Sequence, residues 1–355
     1  MNINLAAPIN STGYGIASFN IIKALNASGN TISYFPIGQP SVESQSDHDY
    51  VIQILKQRYL CDINAPFLKI WHQFDLLEHV GRGKYFAFPF FELDTFNDIE
   101  INSLRVPNGI FATSKWAANI ISNHVNTPTF VAPLGVDLSL FDPVKYNNVS
   151  PSSDKYVFIN IGKWEVRKGH DILLELFTNA FPNNNNVELW ILASETTNSY
   201  SSPTEIQQWK NMYKHDNIKI FSGFNNHADI AKLISQANCG IFPSRAEGWN
   251  MELLECMAMN KPVIATNYSA HTEFCNTDNS YLVDILNTEK ANDGKAFVGQ
   301  GNWAKIGASE KDQFIDHMRY MVNNNIVNNN AGVNTARQLS WTNTAQTILN
   351  HINGN

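Results

Sequence analysis

At 355 residues, with 43% hydrophobic and 12% aromatic content, the chain is long enough for two domains of ordinary size, each with its own core. A net charge of −7, with only 16% charged residues, argues against general affinity for nucleic acid and leaves at most peripheral contact with an anionic membrane. No window approaches the roughly 18 uncharged apolar residues of a membrane span, the start MNINLAAPINSTGYG lacks the features of a signal peptide, and Cys61, Cys239, Cys256 and Cys275 show no C-x-x-C spacing, so a cytoplasmic protein with reduced, structural thiols is expected.

Ile3 to Ile9 reads as a first strand, followed by Asn10-Ser11-Thr12-Gly13-Tyr14-Gly15 and a helix from about Ile16 to Leu25. Gly29-Asn30 then turns the chain into a strand from Thr31 to Phe35, which makes a βαβ opening. Ser18 stands where the third glycine of a G-x-G-x-x-G fingerprint would be, so the turn alone is equally well a simple reversal. Phe67 to Trp71 reads as a short apolar strand ending in His72-Gln73-Phe74-Asp75. Tyr85 to Phe91 is strongly aromatic and runs into Glu92-Leu93-Asp94. Ile110 to Ala112 predicts a strand entering a helix capped by Thr113 or Ser114. Val131 to Asp137 and Phe141-Asp142-Pro143 lead to the polar, Pro/Ser-bearing run Asn147 to Asp154, an expected interdomain linker.

Tyr156 to Ile161 is a buried strand leading into Gly162-Lys163-Trp164-Glu165-Val166-Arg167-Lys168-Gly169-His170 and a helix from Asp171 to Thr178. Cations at 163, 167 and 168, at a strand's carboxyl end, suit a diphosphate; a solvated charge cluster is the plain alternative. Strands at Val187 to Leu192, Ile218 to Ser222 and Cys239 to Phe242 alternate with helices at Glu205 to Tyr213 and Ala228 to Gln236, which predicts a parallel, doubly wound sheet.

The most informative stretch is PSRAEGWNMELLE, Pro243 to Glu255. It lies between the strand Cys239 to Phe242 and a helix predicted over Glu252 to Met259, which Asn260-Lys261-Pro262 ends before the strand Val263 to Thr266. A strand, a polar turn and a helix start place free N–H groups at the carboxyl edge of a parallel sheet, where anions bind. Glu247 and Glu255 bracket the turn, and the set suits a nucleotide: amides for phosphate, a carboxylate for ribose.

Glu247 and Glu255, set in this strand–turn–helix–Pro–strand frame, resemble the donor-nucleotide signature of retaining glycosyltransferases of the GT-B fold, family 4. The resemblance is dense over 157–274 and sparse before 130. It implies an α/β protein of two Rossmann-like, doubly wound parallel-sheet domains facing each other across a cleft: 1–148 for the acceptor, 149–338 for the donor, and a closing helix in 339–355 that returns to the first domain. The implied reaction moves a hexosyl group from a nucleoside-diphosphate sugar, UDP- or GDP-linked, to a glycan, lipid-linked or other hydroxyl acceptor. No metal or other cofactor is implied, which sets Glu92 and Asp94 aside as metal ligands.

Carried over residue by residue, the resemblance puts His72 beside the transferred sugar and lets Gly13 and Gly15 approach donor phosphate or acceptor. Lys163 and Lys168 keep the spacing of the family's Arg and Lys on the donor phosphates, with Arg167 compensating for the bidentate geometry lost at 163. Gly223 would lie against the base, the amides around Gly248, Trp249, Asn250 and Met251 on phosphate, Glu255 on ribose, and Glu247 toward the sugar's hydroxyls. Asn250 replaces the family's usual glycine, and asparagine tolerates a left-handed backbone. Glu252 reads as a favourable first-turn acid. The alternatives are a sugar-nucleotide epimerase or phosphorylase of the same fold, and a non-catalytic relative that binds nucleotide sugar or glycan.

Overall fold

The apolar run after Met1 is buried because parallel neighbours flank it on both sides. In the computed structural model, which describes residues 1–149, 153–194, 202–222 and 226–354, β1 (Asn2–Ala7) pairs with β2 (Thr31–Pro36) and with β3 (Phe67–Lys69). The sheet continues through β4 (Tyr85–Ala87), β5 (Gly109–Ala112) and β6 (Thr129–Val131) in the order β2-β1-β3-β4-β5-β6, all parallel. Its helices are α1 (Gly13–Ala27), α2 (Gln45–Gln57), α3 (Asp98–Leu104) and α4 (Lys115–His124), the last capped by Ser114, whose hydroxyl accepts from the Ala117 N–H at 3.1 Å.

α1 starts earlier than its apolar pattern predicts, because Thr12 caps it and its hydroxyl accepts from the Gly15 N–H. Gly13 and Gly15 therefore lie in the first helical turn, and neither has a left-handed backbone. A Cβ on residue 15 would fall 2.3 Å from the backbone of Asn10, so packing within this unit already requires that glycine.

The second sheet is built from β7 (Tyr156–Lys163), β8 (Val187–Ser194), β9 (Ile218–Phe221), β10 (Cys239–Phe242), β11 (Val263–Asn267) and β12 (Tyr281–Asp284). Its order is β12-β11-β10-β7-β8-β9, again parallel throughout. The helices are α5 (His170–Ala180), α6 (Pro203–Met212), α7 (His227–Gln236), α8 (Met251–Ala258), α9 (His271–Phe274), α10 (Ala308–Asn323) and α11 (Asn330–Gln338). Phe158, Phe177, Leu189, Ile241 and Phe314 are buried in its core. Each such side chain contributes roughly 1.5–3 kcal/mol on leaving water. The sequence reading did not foresee the antiparallel hairpin of β13 (Thr288–Asn292) and β14 (Val298–Ala304). It is tied back by the Ala304 N–H, which donates to the Arg245 carbonyl at 2.9 Å.

The chain separates into two compact units, Met1–Gly135 with Gln338–Asn355, and Val136–Arg337. Residues 136–148, expected with the first domain, cluster with the second, where the turn Pro143–Tyr146 touches α7. The final helix, α12 (Trp341–Ile352), belongs to the first unit and buries Ala345, Ile348, Leu349 and Ile352. Thr344 there donates its hydroxyl to the Pro133 carbonyl at 2.6 Å, and the His351 ring stacks on Phe130 at 3.9 Å. No described helix is long and apolar enough to cross a membrane.

Candidate active site

In the second sheet the strand order reverses between β7 and β10, which are neighbours although β8 and β9 lie between them in the chain. A doubly wound sheet binds its ligand outside the carboxyl ends of the two strands at such a point. The loops that leave these two strands, 164–169 and 243–250, are the two that carry the charged motifs.

The loops are clasped to each other. Gly169 has φ 79°, and a Cβ there would lie 2.2 Å from the Pro243 carbonyl oxygen, so only glycine fits. The Arg245 N–H donates to the Arg167 carbonyl at 2.7 Å, while the Arg245 guanidinium grips Asp171 with two bonds of 2.8 Å each. Arg167, 7% exposed, is spanned by two carboxylates. Its Nη1 donates to Glu247 Oε2 at 2.7 Å and to the Ala246 carbonyl at 2.8 Å, and its Nε and Nη2 donate to Glu165 Oε2 at 3.2 and 2.8 Å. The expectation that Arg167 reaches out to phosphate thus meets a guanidinium whose three nitrogens are all engaged within the protein.

Lys168 lies across Gly162: a Cβ at residue 162 would come within 2.6 Å of Lys168 Cδ. Its Nζ stands 3.1 Å from Glu247 Oε1 and 3.8 Å from Glu252 Oε2. Burial disfavours the charge on Lys168, but Glu247 and Glu252 outweigh it and push the ammonium's pKa up. Glu252 is therefore more than a helix-start acid, since it shares this lysine. Glu247 is buried, which would raise its pKa, yet Lys168 and Arg167 hold its carboxyl well below the usual carboxylate range. It also accepts the Ser244 hydroxyl at 2.8 Å. Lys163, at the end of β7, is half-buried, and its charge helps to keep Glu165 ionised.

The start of α8 follows directly. Asn250 has φ 81°, the left-handed conformation expected where the family's usual residue is glycine, and its Oδ1 accepts the Leu253 N–H at 3.2 Å. Among the described residues the backbone N–H groups of Trp249, Asn250, Met251 and Glu252 meet no acceptor. Gly248 and Trp249 are buried, and the Trp249 ring packs on Phe274 at 4.8 Å, so Trp249 offers a ligand its main chain while its ring anchors the turn. One turn into α8, Glu255 is 8% exposed and its carboxyl has no partner among the described residues. Burial, with the nearby Glu252, pushes its pKa well above the usual carboxylate range.

The segment after β11 was not singled out from sequence, and it braces this turn. Thr266 donates its hydroxyl to the Ser244 carbonyl at 2.7 Å, and Ser269 Oγ accepts the Glu247 N–H at 2.8 Å. His271, fully buried, has Nε2 at 2.9 Å from Asn250 Nδ2 and Nδ1 at 3.0 Å from the Thr266 carbonyl. Gly223 lies outside the described residues.

The remaining candidates sit on the first unit, whose strand order reverses between β1 and β3. His72, just past β3, packs its ring on Tyr14 at 4.6 Å, Trp71 at 4.7 Å and Phe74 at 5.1 Å. The Tyr14 hydroxyl in turn donates to the Phe90 carbonyl at 2.8 Å. Gly13 and Gly15 are on the same side of this sheet's reversal, in the helix that follows β1. Among the described residues no group of three or more His, Cys, Asp and Glu is placed to hold a metal ion, Glu92 and Asp94 included.

Residues 155–293, within the second unit, match the family described as glycosyl transferases group 1. A curated relative, an uncharacterised glycosyltransferase of Methanocaldococcus jannaschii, is 28% identical over 123 residues, which is 35% of this chain and 28% of that protein's length. Among solved structures, sucrose-phosphate synthase of Thermosynechococcus elongatus superposes with a TM-score of 0.74 at 14% identity, covering 99% of this chain and 98% of that one. An Anabaena protein, HepE, solved with UDP and glucose, gives a TM-score of 0.70 at 12% identity over 100% and 99% of the two chains. The fold is thus two parallel, six-stranded α/β units of the GT-B type, and the part that carries Lys163 through Glu255 is the part similar to the group 1 glycosyl transferases.

Proposed function

We propose that the protein is a retaining glycosyltransferase of family 4 that moves a hexosyl group from a nucleoside-diphosphate sugar to a hydroxyl acceptor, glycan or lipid-linked, in the cytoplasm. One observation carries the reading: at the β7/β10 reversal the two neighbouring loops present Lys168 and the unpartnered amides at the start of α8, with the unpartnered Glu255 one turn into that helix. The match of 155–293 to glycosyl transferases group 1 supports it.

Breaking the bond between the sugar and the diphosphate leaves negative charge on the departing oxygen. Cations and fixed amides aimed there stabilise the transition state more than the bound donor. In this reading Lys168 turns from Glu247 and Glu252 to the phosphates, Lys163 adds a second charge, and the Trp249 to Glu252 amides take the rest. Glu247 and Arg167 hold these groups in place. Glu255 meets the ribose hydroxyls, a role that its buried, unpaired carboxyl suits. Metal independence is part of the proposal, with the charge on the leaving group met by side chains and amides. The first unit, with His72, Gly13 and Gly15, is assigned to the acceptor. The Anabaena protein solved with UDP and glucose supports a UDP-sugar as the first donor to try, with GDP-sugars next.

A thermal-shift panel of UDP-, GDP-, ADP- and dTDP-sugars tests the donor assignment, because a bound donor raises Tm with its occupancy. Nucleoside diphosphate released only with an acceptor present, and undiminished by EDTA, is the expected second result. Release or sugar inversion without acceptor points to an epimerase. Donor binding with no turnover across an acceptor panel points to a binding protein.

A further inference from the structure

Asn250 is a non-glycine residue at φ 81° in the turn that opens α8, and something must hold it there. Its own side chain settles which way it is used. Oδ1 accepts the Leu253 N–H, so Nδ2 is the atom that faces His271 Nε2 at 2.9 Å, and Nδ2 can only donate. His271 Nε2 is therefore the acceptor, and the ring proton sits on Nδ1, where the Thr266 carbonyl accepts it at 3.0 Å. Both ends of the ring demand the same neutral tautomer. Burial lowers the pKa of His271 and keeps it neutral. The histidine is 0% exposed, and it ties the end of β11 to the start of α8, 21 positions away in the chain.

We propose that His271 is a positioning residue: through Asn250 it fixes the left-handed opening of α8 and so aims the Trp249 to Glu252 amides at the donor's diphosphate. The inference rests on the donor reading above. Ser269 and Thr266 brace the other end of the same turn, at Glu247 and Ser244, so of these three it is His271 that acts on the residue from which the helix starts. A helix opening left to its own side-chain cap is fixed at one atom; here the Asn250 amide is held at both of its atoms, which removes rotation about χ2 as a way for the turn to drift.

The test compares His271→Leu, His271→Gln, Asn250→Gly and the double variant Asn250→Gly/His271→Leu. Affinity is measured for UDP and for uridine, or for GDP and guanosine if that is the pair the wild type takes. His271→Leu leaves Asn250 Nδ2 unpaired and is expected to weaken diphosphate binding roughly tenfold or more, the size of one buried hydrogen bond lost, while nucleoside binding stays within about twofold. Donor kcat/KM should fall by at least as much, with kcat sharing in the loss because the phosphate's charge grows in the transition state. His271→Gln places an acceptor near the Nε2 position and should recover most of it. Glycine takes φ 81° unaided, so once Asn250 is glycine the Leu change should add little, a coupling that a double-mutant cycle reads directly. Equal loss of diphosphate and nucleoside affinity, or additive effects of the two changes, would make His271 merely structural and overturn the proposal. If His271→Leu does not fold, His271→Ala takes its place in the same cycle, with the same selective loss expected beside Asn250 and the same absence of effect once residue 250 is glycine. A wild type that binds no nucleoside diphosphate would instead defeat the donor reading itself, whereas a wild type that binds and a Leu variant that binds equally well would defeat only this inference.

Discussion

Arg167 Nη1 and Glu247 Oε2, 80 positions apart in the chain, meet at 2.7 Å with both residues buried, and this contact joins the loop after β7 to the loop after β10. Removing the guanidinium takes the cation from half-buried Glu165 and leaves Glu247 to Lys168 alone, a loss of at most about 3–5 kcal/mol, the range for a broken buried pair. Arg167→Met should therefore lower the Tm of the second unit's unfolding transition by at most roughly 6–20 °C, at about 2–4 °C per kcal/mol. Calorimetry reads this directly; an unchanged transition would show that Glu165 and Glu247 are satisfied without the guanidinium.

Lys168 is expected to matter for turnover more than for folding. Lys168→Met should lower kcat by roughly 10²–10³-fold, the usual size of one lost transition-state donor. Gly162→Ala keeps the charge but puts a Cβ 2.6 Å from Lys168 Cδ, so it should displace the ammonium and lower kcat roughly tenfold. Steady-state rates with the donor found by thermal shift check both, and a Gly162→Ala enzyme with wild-type kcat would show that the lysine's course over the glycine is immaterial.

Glu255 separates two kinds of carboxyl. If the neutral acid meets the ribose, Glu255→Gln keeps a donor and an acceptor and should retain donor affinity within a few-fold. Glu255→Ala should lose about ten- to a hundredfold, the range for a buried group left without its hydrogen bonds. Titration calorimetry distinguishes them: equal losses in Gln and Ala would mean that the ionised form is the one that binds.

His170 gives the second unit a pH dependence. Burial, reinforced by the charge on Lys168, lowers its pKa from 6.5 to about 4. The unfolded chain takes up a proton below pH 6.5 while the folded one resists until about pH 4, so stability is lost as pH falls through that window and regained as it rises. The shift corresponds to about 3 kcal/mol at most. His170→Phe should flatten Tm between pH 6.5 and 4 relative to the wild type, and a variant that keeps the full slope would assign it to other groups.

Much of this was written locally. The parallel strands around Phe158, Leu189, Ile241 and Ile264 are legible because each is a short apolar run between turn signals, and a strand buried on both faces needs nothing else. The turn around Asn250 is legible for the same reason: a strand, a polar turn and a helix start lie consecutively. Lys163 and Lys168 mark Arg167 in the sequence as part of a cationic turn, whereas the fold also sets its guanidinium against Glu165 and Glu247. Gly15, marked in the sequence for ligand approach, is also required by the backbone of Asn10, a contact that only the fold shows.

The sequence by itself determined the two α/β sheets, the charged loop after β7 and the helix start after β10, since periodicity and turn chemistry act over a few residues. The tertiary structure alone decided that β7 and β10 are neighbours, that Lys168 is shared between Glu247 and Glu252, and that His271 holds Asn250. Those are contacts between segments that no local pattern couples: burial removes water from several charges at once, and each must then find its partner from whichever strand the sheet order brings beside it.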